Sequence, residues 1–520
     1  MGEPRRSFDA IVVGSGFGGS ISALRLAQAG RSVVVLERGR RYGPDDMPRD
    51  VRAVDRLLWD ARHPDRGAGL FDVRFFSALG VVVAAGVGGG SLVYANIHIR
   101  PDAVVFDDPR WPAGTDRASL DPYYDKVAEA FGVAPVPESV PLAKRDAFRQ
   151  AGQRLHRESF DPDQAVTWPT GPDDQGPGVC RMVAECEFGC RYGAKRTVDR
   201  LHLAQAEQLG AEVRSGTLVV GLESAPSGWS VRCRDLATGA LTTLTARQVV
   251  LAAGTLGTNE LLLRCRDQLH TLSGLSPRLG FGFSANGDFL GSVQGATADL
   301  DPARGPDVTT VLRYFDQAPE FTMAAPTFAA PVMELLASLG QPDPRWLRPI
   351  SGPLWRALPW VLPWAFKHGL LSRPSRLPAP HKGDWRHCTN LFAIGRDDAG
   401  GQLVLGRRGL DVRWRYRQAN AALIARMEQA MVEVGEAYGG HAAPVATWNL
   451  FRRIITVHPL GGCSLAERPG DGVVSPHGEV HGCPGLFVAD GSVVPTAIGF
   501  HPVMTISALA ERTAEAVVGA

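Results

Sequence analysis

Apolar positions along the chain fall into a few short unbroken runs and a few helical stripes. Residues 8–13 and 33–36 are runs of the first kind, short and continuous like strands buried on both faces. Residues 20–29 lie between them and read as a helix that stops at Gly30. Val249-Val250-Leu251-Ala252 and Leu486-Phe487-Val488 repeat the strand pattern. Residues 421–438 carry apolar residues at helical spacing with no breaker and predict a helix. Residues 505–518 read as another. Val404-Leu405 and Val412-Arg413-Trp414 fit strands, and 133–178, rich in Pro and Asp, predicts mostly loop. No internal repeat is present.

Composition narrows this further. A chain of 520 residues has room for two or three domains. Apolar residues at 44% and charged residues at 21% are ordinary for a soluble globular protein. A net charge of +1 gives no global electrostatic case for nucleic acid as a partner. No apolar run reaches the roughly 18 residues of a spanning helix. Arg5-Arg6-Ser7-Phe8 faintly resembles an export signal, but the apolar stretch behind it is short and enters a glycine loop. A cytoplasmic protein without signal peptide is expected. Its eight cysteines are not spaced like disulfide partners.

The chemistry begins at Gly14-Ser15-Gly16-Phe17-Gly18-Gly19, which follows the first strand and opens the first helix. Gly14, Gly16 and Gly19 make a G-x-G-x-x-G turn. The first glycine permits the turn, the second lets backbone approach a pyrophosphate, and the third lets helix meet strand. The helix N-terminus then points its positive end at the phosphates. Glu37 ends the second strand about 20 residues on, where a carboxylate takes the adenosine ribose. This unit does not separate FAD from NAD.

Further segments resemble one family. Gly86-Val87-Gly88-Gly89-Gly90-Ser91-Leu92-Val93 is similar to the flavin-contacting loop of glucose-methanol-choline (GMC) oxidoreductases, especially their cholesterol-oxidase-like branch. Residues 249–258, with Ala253 and Gly254, resemble that branch's strand and turn beside the cofactor. His458-Pro459-Leu460-Gly461-Gly462-Cys463, then Val488-Ala489-Asp490-Gly491, then Gly499-Phe500-His501-Pro502 complete the pattern in family order. Between about 285 and 450 the resemblance is faint. The resemblance implies an α/β fold: a Rossmann-type, glutathione-reductase-like FAD-binding domain with a discontinuous α+β substrate domain on an antiparallel sheet. Residues 1–45, 195–284 and 452–520 are expected in the first. Residues 46–194, with loop 86–96 and the cysteines of 180–190, and 285–451 are expected in the second.

The resemblance implies non-covalent FAD and oxidation of an alcohol. Asp490 ends a strand, placed to bond a flavin ribityl or phosphate-linked hydroxyl. The helix at 505–518 would turn its positive end toward the flavin's pyrimidine edge and stabilise the reduced, anionic form. Alcohol oxidation needs a base near working pH, and histidine suits it. His458 and His501 occupy the positions of the family's catalytic pair, one as base and one as hydrogen-bond partner of the oxygen, with the order left open. Cholesterol oxidases carry Asn at the place of His501, which weakens a strict cholesterol assignment. Their active-site acid has no clear counterpart; Glu320 is the sole acid of 319–331. His98, His381 and His387 receive no role.

Two features stand apart. Cys180, Cys186 and Cys190 match three of the four cysteines of the ferredoxin run, with Val183 at the missing place. Some sugar dehydrogenases of the same family carry a [3Fe-4S] cluster at similar spacing, so the resemblance implies one here, passing electrons to an external acceptor. Buried apolar thiols, or the remnant of a four-cysteine structural motif, are the alternatives. Zinc would need a fourth ligand. From 344 to 383 the chain has no Asp or Glu but seven Lys or Arg and four Trp. That composition suits a lid dipping into a membrane surface to admit a lipid-like alcohol; a cap over the cavity is the alternative. The prolines at 353, 359 and 363 argue against one long helix there. The expected substrate is a sterol-like or other bulky alcohol, with oxygen or a separate acceptor taking the electrons. A sugar or polyol dehydrogenase, or a lyase keeping FAD structurally, is the rival reading.

Overall fold

The computed structural model describes residues 5–47, 58–59, 69–171, 174–339, 351–367, 384–407 and 409–520. Its largest sheet has seven strands. In spatial order they are Glu212–Arg214, Val33–Leu36, Ser7–Val13, Leu241–Leu251, Gly228–Asp235 and Thr217–Ala225, with Leu486–Val488 also on Leu241–Leu251. The strand Leu241–Leu251 serves two partners along one edge. Its first half pairs antiparallel with Gly228–Asp235, and its last residues pair parallel with Leu486–Val488.

The register explains where a ligand can lie. Val13 is level with Leu36 and Leu251, and Leu251 with Val488. Four parallel strands therefore end at one edge, and Gly14, Glu37, Ala252 and Ala489 all step off there. Ligands of open α/β sheets occupy the crevice beyond that edge. The strands are buried on both faces, which is why they read as unbroken apolar runs. The helices Phe17–Gln28 and Val503–Gly519 pack together over the sheet. Arg25 grips Glu511 across them with two bonds of 2.8 Å.

A second sheet is antiparallel, in the order His441–Pro444, Phe289–Gln294, Thr389–Gly395, Phe321–Ala324, Val311–Tyr314 and Ser159–Phe160. Two of its strands, Phe289–Gln294 and the first half of Thr389–Gly395, alternate in burial, as on a one-sided sheet. The helix Ala421–Ala437 covers the face carrying Gly291 and Gly395. Side chains at either position would run into Met431 or Leu423. The opposite face carries Leu290, Asn390 and Phe392, all half-buried, with Leu290 level with Phe392.

Two local expectations are corrected and one holds in the main. The stretch 133–178 is mostly loop, with the helix Ala143–Arg154 inside it. The helix's buried face is built on Lys144, Arg145, Phe148, Ala151 and Gly152, too polar to show as an apolar stripe. Ser351–Lys367 is one helix despite its prolines. Pro353 sits in the first turn, where the missing N–H would be unpaired anyway. Pro359 and Pro363 are one turn apart, so the lost donors fall on one side of the helix. Gly401–Gly406 and Gly409–Arg413 are strands, but they form a separate three-stranded sheet with Phe281–Phe283, and Trp414 lies outside it. Among the described residues no helix is long and apolar enough to cross a membrane.

Candidate active site

The glycine turn is shaped by close approach. Gly14 adopts φ +97°, and a side chain there would strike the Ala252 carbonyl. A Cβ on Gly18 would lie 1.5 Å from the Ala489 oxygen, and one on Gly19 2.1 Å from the Gly14 oxygen. These two glycines let the helix enter the strand ends. Gly16 is different, because a Cβ there would meet only Gly89 Cα, at 4.0 Å. Open space at Gly16 is what an approaching pyrophosphate needs.

Ser15 stitches this turn to the second glycine loop. Its Oγ donates to Glu37 Oε2 at 2.6 Å and accepts from Gly88 N at 3.1 Å. Glu37 also accepts from Ser15 N and Gly39 N, so it stands buried at the strand end. In the second loop Gly89 backs onto Gly16, Gly90 faces Phe17, and Gly86 packs on Leu92 and Tyr42. Ser91 Oγ donates to Gly88 O at 2.8 Å. Around this cradle several buried polar atoms lack a hydrogen-bond partner among the described residues: both amide atoms of Asn96, Thr197 Oγ1 and Asp199 Oδ1. Buried polar atoms are normally satisfied. Such a set beside two glycine loops at a parallel-strand edge fits a dinucleotide of FAD's chemistry. The sequence reading did not single out Asn96, at the end of loop 86–96, or Thr197 and Asp199, which lie in the charged run Lys195-Arg196-Thr197-Val198-Asp199-Arg200 and carry no motif.

On the other side of the crevice Ala253 precedes the helix Gly254–Asp267. The first turns of that helix are tied to both later motifs. Thr255 Oγ1 donates to Pro459 O at 2.7 Å, and Thr258 Oγ1 to Asp490 Oδ2 at 2.6 Å. Asp490 also accepts from Ser492 N and Oγ, so its carboxylate caps the turn Gly491–Val493. Gly491 O accepts from Gly461 N at 3.0 Å.

These ties bring the two histidines together. The His458 and His501 ring centroids are 5.4 Å apart, inclined at 76°. Phe392 stacks on His458 at 5.5 Å and meets His501 edge-on at 6.3 Å. Pro502 precedes the helix Val503–Gly519, so His501 sits at that helix's positive end. His501 is buried and its Nδ1 has no partner among the described residues. Burial, with His458 beside it, holds its imidazolium far below the ordinary histidine range, so the ring is neutral.

Both rings hang from one turn that sequence reasoning missed, Ser284-Ala285-Asn286-Gly287-Asp288. Asn286 Oδ1 accepts from Ile498 N and Gly499 N, and its Nδ2 donates to Phe500 O at 2.8 Å. Asp288 accepts from His458 Nδ1 at 2.9 Å. Asp397 anchors the turn, accepting from Ser284 Oγ, Ala285 N and Gly287 N. The signal was an Asn-Gly pair flanked by polar residues just before an apolar strand.

Other expectations fare differently. Cys180, Cys186 and Cys190 are free thiols, and among the described residues no group of three or more His, Cys, Asp or Glu is gathered to hold a metal. No gathered ligand set among the described residues supports the [3Fe-4S] expectation. Burial pushes the Cys180 thiol up to about 11 and Cys186 well above its usual value, with the Asp307 carboxyl nearby acting the same way. Glu320 pairs with Arg396 at 3.7 Å. Of the segment 344–383, residues 344–350 and 368–383 lie outside the described residues. Within the rest, Trp355 is buried, donates to Phe76 O at 2.8 Å, and packs on Phe75 and Phe451. Leu354 and Val361 are exposed.

Residues 8–266 match the N-terminal GMC oxidoreductase family model, and 409–510 match the C-terminal one. The chain is 32% identical to a cholesterol oxidase of Mycobacterium tuberculosis, over 98% of this chain and 90% of that protein. It is 29% identical to a cholesterol oxidase of Acinetobacter baumannii, over 97% and 93%. The solved structure of pyridoxine 4-oxidase from Mesorbium loti superposes with TM-score 0.66 at 18% identity, covering 98% of both chains. That likeness concerns the fold.

Proposed function

The chain belongs to the GMC oxidoreductases, a family of FAD-dependent enzymes, and from that premise we propose that it oxidises the CH–OH group of a bulky, sterol-like or lipid-like alcohol. The supporting observation is the meeting of His458 and His501 at the strand-end crevice, with Phe392 against both rings. We assign FAD to the loops 14–19 and 86–91, Glu37, Ala253-Gly254, Asp490-Gly491 and His501-Pro502. FAD, when bound, supplies the acceptor for the carbinol hydride.

His458 is assigned as the base. Its Nδ1 is occupied by Asp288, so Nε2 is the nitrogen left for the hydroxyl proton. His501 is neutral and holds the alcohol oxygen by a hydrogen bond. The proton goes to His458 as the carbinol hydrogen leaves with its electron pair, and a ketone or aldehyde remains. The cholesterol oxidase relatives are oxidases by name, and we assign oxygen as final acceptor, reduced by two electrons and two protons to hydrogen peroxide. Leu290 and Phe392, level with each other on the sheet face that meets the histidines, support a bulky substrate over a sugar.

Strands of the seven-stranded sheet come from 1–45, 195–284 and 452–520 and those of the six-stranded sheet from 46–194 and 285–451, while two three-stranded sheets draw on both sets. We assign the first set to FAD and the second to substrate. Leu354 and Val361, exposed on an acid-free helix, support contact with a membrane surface. Equal liposome co-sedimentation by wild type and a Leu354→Ser/Val361→Ser variant would exclude that contact. The function itself is tested by adding sterols, long-chain alcohols and sugars anaerobically to the holoenzyme. Flavin bleaching by sterols or long-chain alcohols supports the reading. Bleaching by sugars alone, or by none, overturns it, and the last outcome favours a lyase.

A further inference from the structure

We propose that Asp288 is a positioning residue that locks His458 in the Nδ1–H tautomer. The proposal rests on the assignment of His458 as base. Asp288 is fully buried at the start of the strand Phe289–Gln294. Its two oxygens are used unequally. Oδ2 accepts from Thr456 Oγ1 at 2.8 Å, Val457 N at 2.8 Å and His458 N at 3.1 Å. Among the described residues Oδ1 accepts only from the His458 ring, at 2.9 Å from Nδ1.

The geometry decides the tautomer. A carboxylate oxygen accepts, so the contact is a bond only when Nδ1 carries the hydrogen. Nε2 then keeps its lone pair. When Nε2 takes the hydroxyl proton, the positive charge that forms has a carboxylate already in place. His501 has no such neighbour: its Nδ1 lacks a partner among the described residues. The two imidazoles are therefore unequal by construction. The backbone of the same turn is pinned by Asp397, so Asp288 has little freedom to follow a displaced ring.

The arrangement also fixes what Asp288→Asn does. Three donors converge on the Oδ2 position, so the amide oxygen must sit there and the amide nitrogen must face His458. An N–H then donates to Nδ1 and the imidazole carries its hydrogen on Nε2, where no proton can be taken. The test is 15N-histidine NMR of the holoenzyme at pH 8, with anaerobic flavin reduction by a saturating alcohol. In the wild type His458 is expected as the Nδ1–H form. In Asp288→Asn it is expected as the Nε2–H form with flavin still bound. Flavin reduction falls on the order of 10²–10⁴-fold, while half-saturation by the alcohol changes less than about threefold. A wild-type His458 protonated on Nε2 overturns the proposal, as does an Asp288→Asn enzyme with the wild-type tautomer and rate. If the variant does not fold, the wild-type spectrum alone decides. If no alcohol reduces the flavin, the function assigned above fails, and the tautomer still reads the role of Asp288.

Discussion

Phe392 lies flat against His458, with ring centroids 5.5 Å apart and planes 12° from parallel. It also presents its edge to His501. One aromatic side chain from the antiparallel sheet thus bounds the place where the two imidazoles meet. Replacing it with Ala removes ring packing worth about 0.5–1.5 kcal/mol beyond the area it buries. We expect Phe392→Ala to raise the half-saturating concentration of a bulky alcohol roughly tenfold, about 1.4 kcal/mol. Steady-state peroxide assays with a sterol and a short alcohol separate this from a general loss of activity, because the short alcohol is expected to change less.

The two glycines of the dinucleotide turn should fail in different ways. Gly16→Ala adds a methyl to open space beside Gly89, so the fold is expected to survive while flavin content drops. Gly18→Ala drives a methyl into the Ala489 carbonyl, so stability is expected to fall by about 1–3 kcal/mol or more. Absorbance at the flavin band and thermal melting of the two purified proteins check the contrast.

His202 ties stability to pH. Its ring packs against Phe131 at 5.1 Å, and burial, with Arg25 adding to it, pulls its imidazolium down to about 4. Below the ordinary histidine value of about 6.5 the unfolded chain takes a proton that the folded chain refuses. The contribution is fully present above that value and is lost as pH falls toward 4. We expect His202→Phe, which keeps the ring packing, to lose less melting temperature than wild type between pH 7 and pH 5. Buried carboxyls such as Asp397, raised to about 6 by burial, act with the opposite sign. They are common to both proteins and cancel in the comparison.

The cysteines give a compositional test. With burial pushing the Cys180 and Cys186 thiols up and no metal-holding group among the described residues, we expect no iron in the anaerobically purified protein. Cys180→Ser is expected to keep flavin reduction. Iron per flavin, measured by elemental analysis, checks this; about three irons per chain would restore the cluster.

Much of this was legible in the chain. The parallel core announced itself because strands buried on both faces must be apolar throughout, and because a phosphate-binding turn needs glycine at fixed spacing. His458 and His501 were legible as motifs, but their 5.4 Å meeting depends on long-range ties through Thr255, Asn286 and Asp288. No local pattern reports such ties. Asp288 and Asn286 are short polar residues around an Asn-Gly pair, and such residues by themselves mark no chemistry. Ala143–Arg154 hid because it buries Lys144 and Arg145 against backbone carbonyls, which breaks the apolar stripe. The cysteine spacing leaves the cluster open, because ligand spacing along a chain does not guarantee convergence in space.

The central claim is that two imidazoles over bound FAD take an alcohol apart, one of them as base. Its most direct test is anaerobic stopped-flow mixing of a sterol with wild-type holoenzyme and with His458→Asn. We expect the wild-type flavin band to bleach, and the variant, with flavin still bound, to bleach on the order of 10²–10⁴-fold more slowly. Equal bleaching rates in the two proteins would contradict the account.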